Sequence, residues 1–334
     1  MSSLVSILIP CFNAEKWIAE TLESAIAQTC QNKEIIVVDD GSTDRSLAIA
    51  KKFESPILKI ISQENLGAGA TRNRALMEAQ GEFIQYLDAD DLLSSRKIEE
   101  QILLLQQNLP GKVAVCGAIH FFDGQIPDKG IFDDGLPFLV DSDDPLEWLL
   151  KLLGADGVGG MVHPGAWLIP RKVADKVGFW DEQPSPDDDG EYFARVVLAS
   201  NGICRATNIM SYYRKHQTSN NLSKGNSEKL QWGALRSLDL KAHYILKETN
   251  SLRAKRTLAK HYMERAILAY PAYPAITEMA LKKVGEMGGS NYIPTLGGQG
   301  TELIKKLFGW RFARAASVYY NRWKNVSKTR LKSL

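Results

Sequence analysis

The sequence predicts an α/β protein with a mainly parallel, doubly wound sheet, helices flanking that sheet and a helical C-terminal extension. Short apolar runs rich in β-branched residues alternate with segments of helical period through the first part of the chain. From about residue 226 onward the period is helical, and no strand pattern appears. We therefore expect a larger domain over residues 1–225 and a basic, mainly helical region over residues 226–334.

The predicted strands are short and continuously apolar, which is typical of strands buried on both faces. They are Val5–Ile9, Glu34–Val38, Leu58–Ile61, Phe83–Leu87 and Val113–Cys116. Residues such as Ile18, Leu22 and Ala25 recur between them at helical spacing. Residues 120–165, rich in Gly, Asp and Pro, break the pattern and are expected to frame a pocket. Ligands of such sheets bind beyond the carboxyl ends of the strands, so the chemistry is expected in the loops there.

Composition and charge narrow the class of protein. From residue 231 onward the chain carries 19 Lys and Arg against 6 Asp and Glu, a net charge of +13, whereas the first 230 residues carry −11. The four cysteines are scattered without zinc-ligand spacing and are interpreted as reduced thiols. The opening MSSLVSILIP lacks a signal-peptide pattern, and no run of about 18 apolar residues occurs. We therefore expect a cytoplasmic protein.

Two loops at one edge of the predicted sheet suit a nucleobase. Pro10, Phe12 and Asn13 follow the first strand, and Asp39 and Asp40 end the second, in VVDDGSTD. An aromatic ring can stack on a base, and a carboxylate can accept a hydrogen bond from a ring N–H. The same residue types also form turns and helix caps, so the turn interpretation stays open.

The fourth strand ends in an acidic run, DADD, at the same edge. Asp88, Asp90 and Asp91 would repel one another without a partner, whereas a divalent cation relieves that cost and neutralises a leaving diphosphate. Hard oxygen ligands favour Mg²⁺ or Mn²⁺. The alternative is a solvated acidic loop, which the preceding apolar strand makes less attractive.

Three further segments carry candidate residues. Arg72 lies in NLGAGATRNRAL, where we expect it in the first turn of a helix beside a bound anion. In SPDDDGEYF, Asp188 or Asp189 is expected to cap a helix, and because capping needs only one of the three consecutive carboxylates, a surplus one is a candidate general base. In SYYRKH, Arg214 is a candidate phosphate ligand and His216 a candidate metal ligand, although an isolated His is more often a surface residue.

Four segments, taken in order, resemble the family 2 inverting glycosyltransferases with the GT-A fold. They are VSILIPCFNAEKWIAETLESAIAQT, IIVVDDGSTDRS, NLGAGATRNRAL and GEFIQYLDADD, and the resemblance covers roughly residues 4–220. It implies that Phe12, Asp39 and Asp40 surround the nucleoside and that Arg72 lies near the donor. It also makes Asp88, Ala89 and Asp90 the DxD metal motif.

The same resemblance implies that Asp189 is the catalytic base and Asp188 its partner. The family commonly has Glu before this Asp and an aromatic residue soon after, whereas here Asp188 precedes it and Gly190 follows. The assignment among Asp187, Asp188 and Asp189 therefore stays open.

The function implied is inverting, metal-dependent transfer of a sugar from a nucleotide-diphosphate donor, expected to be a UDP-sugar, to a hydroxyl of a saccharide or lipid-linked acceptor. One alternative is a sugar nucleotidyltransferase, which would show a Gly-rich, Arg-containing loop where this chain has PCFNAEKW. Another is a catalytically silent sugar-nucleotide-binding protein.

The aromatic and basic segment 303–332 can lie on an anionic membrane, which would make the protein peripheral at the inner face. Packing of its aromatics on the protein is the alternative. No nucleic-acid-binding module is recognised, so no nucleic-acid partner is expected.

Overall fold

The computed structural model describes residues 3–133, 135–216 and 227–332, with side chains described as far as residue 320. The chain divides into two compact units, Met1–Gly225 and Asn226–Leu334. The first is an α/β unit built on a nine-stranded sheet, and the second contains helices, so the predicted fold class is confirmed.

The sheet of the first unit is mixed. Its strands are β1 (Val5–Cys11), β2 (Lys33–Asp40), β3 (Leu58–Gln63), β4 (Phe83–Tyr86), β5 (Leu92–Leu93), β6 (Val113–Phe122), β7 (Ile131–Asp133), β8 (Trp167–Pro170) and β9 (Ile203–Lys215). Their order is β3-β2-β1-β4-β8-β6-β9-β5, with β7 paired to β6. The first four strands are parallel, β8 is antiparallel to both of its neighbours, and β9 runs parallel to β6.

Helices connect these strands and bury their apolar faces against the sheet. They are α1 (Ile18–Ile26), α2 (Ser46–Ala50), α3 (Ala68–Glu78), α4 (Lys97–Gln106), α5 (Pro145–Leu152), α6 (Arg171–Val177) and α7 (Asp188–Ala199). Fully buried apolar side chains of β1, β2 and α1 belong to one hydrophobic core cluster of this unit. This continuous burial on both faces explains why the first two strands read as unbroken apolar runs.

Residues 120–165 are more regular than the sequence interpretation allowed. They include the end of β6, the short strand β7 and helix α5. Helix α5 begins with Pro145, and the Asp144 side chain caps it by accepting a hydrogen bond from the Glu147 N–H at 2.9 Å. Trp148, on the first turns of that helix, is buried. Proline at the first helical position and a preceding Asp are start signals that this stretch does contain.

The second unit consists of helices α8 (Glu228–Glu248), α9 (Leu252–Ala269), α10 (Pro274–Glu286) and α11 (Gln299–Lys332). Ser227 and Ser251 cap α8 and α9 by accepting backbone hydrogen bonds. Gly309 has a φ of 81° and breaks α11 into two helical parts. In the parts of the chain that the structure describes, no helix is both long and apolar enough to span a bilayer.

Candidate active site

In the first unit, the carboxyl ends of the neighbouring strands β1, β2 and β4 lie side by side at the same end of the sheet. These strands are parallel and in register, with Cys11 opposite Asp39 and Leu8 opposite Tyr86. The loops that follow the three strands therefore leave the sheet on the same side. These loops carry the predicted nucleotide-binding residues and the DADD turn.

The central contact of this edge is a buried ion bridge through Arg72. Its Nη1 lies 2.7 Å from Asp188 Oδ2, and its Nη2 lies 3.0 Å from Asp88 Oδ1. The guanidinium carbon lies 4.5 Å from the centroid of the Trp180 ring, which covers it. Asp88 of the DADD turn and Asp188 at the start of α7, which are far apart in the sequence, thus bind the same arginine side chain.

Helix α3 packs closely against the segment that leads to α7. Asn73 binds the Trp180 backbone twice, accepting a hydrogen bond from its N–H at 2.7 Å and donating one to its carbonyl at 3.0 Å. A Cβ on Gly69 would lie 2.5 Å from the Asp181 carbonyl oxygen, so this approach requires glycine. Arg72 lies in the second turn of α3, one turn later than predicted, because the helix begins at Ala68.

Burial and neighbouring charges set the protonation of this group. Burial disfavours the charged form of Arg72, but the carboxylates of Asp188 and Asp88 more than compensate and raise its pKa. Burial, followed by the charges of Asp188 and Asp187, raises the pKa of Asp189 to about 7, against the opposing effect of Arg72. Asp189 is therefore poised to accept a proton near neutral pH.

The acidic segment begins α7 in an ordered way. Asp187 occupies the N-cap position, and the helix starts at Asp188. Asp188 Oδ1 accepts a hydrogen bond from the Asp189 N–H at 2.9 Å, and Asp189 Oδ1 accepts one from the Gly190 N–H at 2.8 Å. These bonds use amides of the first turn and hold both carboxylates at the helix N-terminus, where the helix dipole favours negative charge.

The two carboxylates at the end of β2 differ in their surroundings. Asp40 accepts hydrogen bonds from Gln63 Nε2, the Leu66 N–H and the Gly67 N–H, at 2.8, 2.9 and 2.9 Å, so both of its oxygens bind the β3–α3 loop. Asp39 Oδ2 accepts a bond from the Ser42 N–H at 3.2 Å. Its Oδ1 is buried and has no hydrogen-bond partner among the described residues. Of these two carboxylates, Asp39 is therefore the one with an oxygen available to accept a hydrogen bond from an N–H group of a ligand.

The loop after β1 joins the loop after β2. Asn13 has a φ of 49°, and its Oδ1 accepts a hydrogen bond from the Thr43 N–H at 2.9 Å. Its own N–H donates to Ser42 Oγ at 3.0 Å. Pro10 lies within β1, and Phe12 is 51% exposed at the sheet edge. Phe12 directly follows Cys11, which pairs with Asp39 across the two strands, so the exposed ring and this carboxylate belong to neighbouring strand ends.

The second half of the DADD turn contacts the end of β9. Asp90 Oδ2 lies 2.6 Å from His216 Nε2, and the His216 ring lies 4.3 Å from the Trp17 ring. Asp123 Oδ1 accepts a hydrogen bond from Trp17 Nε1 at 2.9 Å, and its Oδ2 lies 3.6 Å from His216 Nδ1. Ala89 is buried, and its carbonyl accepts a hydrogen bond from the Thr21 hydroxyl at 2.9 Å.

Arg214 is buried and held by the protein on all its nitrogens. Nε donates to the Asp90 carbonyl at 2.7 Å, Nη1 to Asp123 at 3.3 Å and Nη2 to Glu20 at 2.6 Å. The guanidinium also lies 4.5 Å from the Phe121 ring centroid. These contacts tie the DADD turn to β9 and α1, and the phosphate binding expected of Arg214 from the sequence stays a prediction.

The structure brings predicted residues together in two groups, and it adds several residues to which the sequence did not point. Asp88, Asp188 and Arg72 meet directly, and Asp90 meets His216. The missed residues are Trp17, Glu20, Asp123 and Trp180, together with His163, whose Nδ1 lies 3.6 Å from Asp91 Oδ2. Their common signal was weak, because each is a single polar or aromatic residue whose partners lie far away in the chain.

Comparison with known proteins supports these observations. The sequence profile of glycosyl transferase family 2 matches residues 6–178, and the chain belongs to this family. It is 31% identical over 228 residues to an uncharacterized glycosyltransferase of Rickettsia bellii, covering 67% of this chain but about a third of that protein. It is 30% identical over 244 residues to the Escherichia coli UDP-Glc:alpha-D-GlcNAc-diphosphoundecaprenol beta-1,3-glucosyltransferase WfaP, covering 72% of this chain and 89% of WfaP.

Solved structures share the fold. Staphylococcus aureus TarS 1–349 in complex with UDP-GlcNAc superposes with a TM-score of 0.68 at 19% identity, over 95% of this chain and 91% of TarS. The mannosyltransferase PcManGT from Pyrobaculum calidifontis, in complex with GDP-Man and Mn²⁺, superposes with a TM-score of 0.51 at 14% identity, over 97% of this chain and 88% of that one. The GT-A fold predicted from the sequence is thereby confirmed.

The two carboxylates of β2 lead to a stability prediction. Replacing Asp40 with Ala should lower the free energy of unfolding by about 1–3 kcal/mol, because three donors in the β3–α3 loop lose the charged acceptor that the buried Asp40 provides. Asp39→Asn keeps an oxygen for the Ser42 N–H and should cost less than about 1 kcal/mol. Urea denaturation of both variants measures the difference, and equal losses would contradict the distinction.

Proposed function

We propose that this protein is an inverting, metal-dependent glycosyltransferase that moves a sugar from a nucleotide-diphosphate donor to a hydroxyl group. The observation that carries the proposal is the Arg72 bridge, which joins Asp88 of the DADD turn to Asp188, the neighbour of Asp189. This contact supports a proposed leaving-group site and a proposed base site that lie close together. The donor is proposed to be a UDP-sugar, since TarS was crystallised with UDP-GlcNAc and the name of WfaP gives UDP-Glc.

The acceptor is proposed to be a saccharide or a lipid-linked saccharide. WfaP, by its name, acts on a diphosphoundecaprenol-linked sugar, and this chain covers most of that relative. Phe12 and Asp39 are proposed to bind the base, with Asn13 shaping the loop and Pro10 lying in the last part of β1 before it. Asp40 and Arg214 are proposed to have structural roles, because their side chains bind other parts of the protein. Asp40 holds the β3–α3 loop, and Arg214 holds the DADD turn.

Asp90 and His216 fit a divalent metal that also binds substrate. Among the described residues there is no group of three or more His, Cys, Asp or Glu side chains arranged to hold a metal alone. Mg²⁺ and Mn²⁺ often bind through one or two protein ligands, with water and phosphate oxygens completing the shell. Asp90 Oδ2 and His216 Nε2, 2.6 Å apart, offer two such donors. When bound, Mn²⁺ or Mg²⁺ would neutralise charge on the departing diphosphate.

Asp88, the first carboxylate of the motif, is proposed to act differently from Asp90. One of its oxygens binds Arg72, and its side chain is 27% exposed. We propose that this contact fixes the carboxylate at the edge of the donor pocket. Arg72 then positions Asp88 and Asp188, since both of its terminal nitrogens are used by these carboxylates.

The proposed reaction is a single displacement at the anomeric carbon. Asp189 takes the proton of the acceptor hydroxyl as the acceptor oxygen forms its bond to that carbon. The bond from the anomeric carbon to the diphosphate oxygen breaks on the opposite face, and its electron pair leaves with the diphosphate. Asp188 assists by raising the pKa of Asp189, so that the base can hold the proton it receives.

Removal of either acidic group tests the proposal directly. Asp189→Ala and Asp90→Ala should each reduce transfer by about 100-fold or more, because the first removes the base and the second a metal ligand. Release of nucleoside diphosphate from a panel of nucleotide sugars, with and without Mn²⁺, measures the effect. Asp175→Ala, on the exposed surface of α6, is the matched control. Full activity in either variant, with thermal unfolding as in the parent protein, would exclude that residue from the mechanism.

The same assay distinguishes the alternative functions. A nucleotidyltransferase would release pyrophosphate from a nucleoside triphosphate, and a silent binding protein would bind the nucleotide sugar without turnover. Only a glycosyltransferase should release a nucleoside diphosphate from the sugar donor.

The pKa of Asp189 predicts the pH dependence. The base must be deprotonated, so kcat/KM should rise with pH through about 7 and level off above it. Asp188→Asn removes a charge that raises this pKa, and the rising limb should therefore move to lower pH even where the overall rate falls. A pH–rate profile of each protein, with Asp175→Asn as the control, measures the shift. An unmoved limb would show that another group controls this titration.

We further propose that the C-terminal helix binds the membrane surface, which places the protein at the inner face of the membrane. The α11 segment carries nine Lys and Arg against one Glu. Leu303, Leu307, Phe308 and Phe312 are 58–66% exposed on it. Apolar side chains on a strongly basic helix are the combination that binds anionic lipid.

Substitutions on this helix test the membrane proposal. The triple variant L307E/F308E/F312E should lose co-flotation with vesicles that contain anionic phospholipid, because it removes apolar area and adds negative charge. Leu109→Glu changes an equally exposed leucine of the first unit and should leave flotation unchanged. Flotation of the triple variant at the parent level would contradict the proposal.

A further inference from the structure

A buried pair of side chains lies beneath the DADD turn. Asp91 is the last residue of the turn, and it is 1% exposed, whereas the carboxylates of Asp88 and Asp90 reach the surface. His163 immediately precedes a short 3-10 turn, Pro164–Ala166, that leads into β8, and it is 3% exposed. The distance from His163 Nδ1 to Asp91 Oδ2 is 3.6 Å. The proposed function uses neither residue.

Among the described residues, the side chains of Asp91 and His163 have few hydrogen-bond partners. Asp91 Oδ1 accepts a hydrogen bond from the Arg214 N–H at 2.8 Å. Within the described part of the chain, Asp91 Oδ2 and both ring nitrogens of His163 are buried without a hydrogen-bond partner. A buried polar atom without a partner costs about 1–3 kcal/mol. A small shift or one bridging water would let the two groups satisfy each other.

The Asp91 carboxyl joins three segments of the chain. It belongs to the DADD turn, binds the backbone of β9 at Arg214 and faces the entrance to β8 at His163. Two residues beyond Arg214 on the same segment is His216, which contacts Asp90. The Asp91 contacts therefore set the position of the turn relative to the segment that carries His216. A displacement of about 1 Å in such a site can cost about 100-fold in rate.

We propose that Asp91 and His163 form a positioning pair that holds Asp90 against His216. Asp91 acts through its hydrogen bond to the Arg214 N–H and its contact with His163, and it is not a ligand of the metal or the substrate. The expected effect of the pair on sugar transfer rests on the proposed function. Its effect on the Asp90–His216 contact does not, because that contact is present in the protein without substrate. An apolar pair of similar size could fill this space as stably, so the presence of a carboxyl and an imidazole here fits a need for directional contacts.

Isosteric and apolar variants separate these roles. Asp91→Asn keeps an acceptor for the Arg214 N–H and an N–H donor facing His163, so it should retain transfer within about 3-fold. Asp91→Leu and His163→Phe keep the volume but lose the bonds. They should raise the donor KM and the half-saturating Mn²⁺ concentration by about 10-fold or more, and they should leave the acceptor KM unchanged. His163→Asn, which keeps a polar atom near the Nδ1 position, should recover part of the loss.

A readout without substrate keeps the test independent of the proposed function. The ring nitrogens of His216, observed by long-range ¹H–¹⁵N NMR in the full chain, should shift in Asp91→Leu and His163→Phe and stay unchanged in Asp91→Asn. Ser6→Ala is the matched control. It removes a buried hydrogen bond near the amino-terminal end of β1, away from the carboxyl end where the candidate site lies. It can lower thermal stability but should move neither His216 nor the donor KM.

The outcomes are distinct. If Asp91→Asn loses as much transfer activity as Asp90→Ala, Asp91 acts through its charge and the proposal is overturned. If His163→Phe and Asp91→Leu leave the His216 resonances unchanged, the pair does not position that residue and the proposal is overturned. If one of these two variants does not fold, the other and His163→Asn decide the same question. If the parent protein consumes no nucleotide sugar, the proposed function fails, while the NMR result still tests the pair.

Discussion

The buried charge of Arg72 is the constraint on which the candidate site depends. A guanidinium inside a protein is stable only when anions and hydrogen bonds replace the water it loses, and breaking such a bridge costs about 3–5 kcal/mol. Asp88 and Asp188, which supply those anions, lie 16 and 116 residues away from Arg72. The folded chain must therefore bring its two acidic segments to one point. Their convergence is a condition of folding as well as of the proposed chemistry.

Carboxylates of one residue type take different tasks because their surroundings differ. Asp40 is saturated by a loop, while Asp39 keeps one buried oxygen for a ligand. Asp188 gives one oxygen to an arginine, and its charge, together with burial, keeps the pKa of Asp189 near neutral. Charge that would otherwise be repulsive is thus divided between structure and proton transfer.

The antiparallel half of the sheet is the second support of the site. Strand β8 lies between β4 and β6, and the end of β9 contacts the DADD turn through Arg214. Arg214, whose guanidinium binds two acidic side chains and the Asp90 carbonyl, holds that contact in place. The site therefore draws on the parallel strands for the nucleotide edge and on the antiparallel strands for the residues proposed to meet the metal.

The sequence by itself determined the parallel strands and the residues at their carboxyl ends. Apolar periodicity and turn chemistry are local, so β1 to β4, Asp39 and the DADD turn could be located from neighbouring residues alone. Only the tertiary structure decided the partners of Arg72 and Arg214, the unlike roles of Asp39 and Asp40, and the place of His163. Those outcomes depend on burial and on contacts between distant segments. One sequence without its fold carries no record of which groups lose their water, and that loss decides which charges must pair.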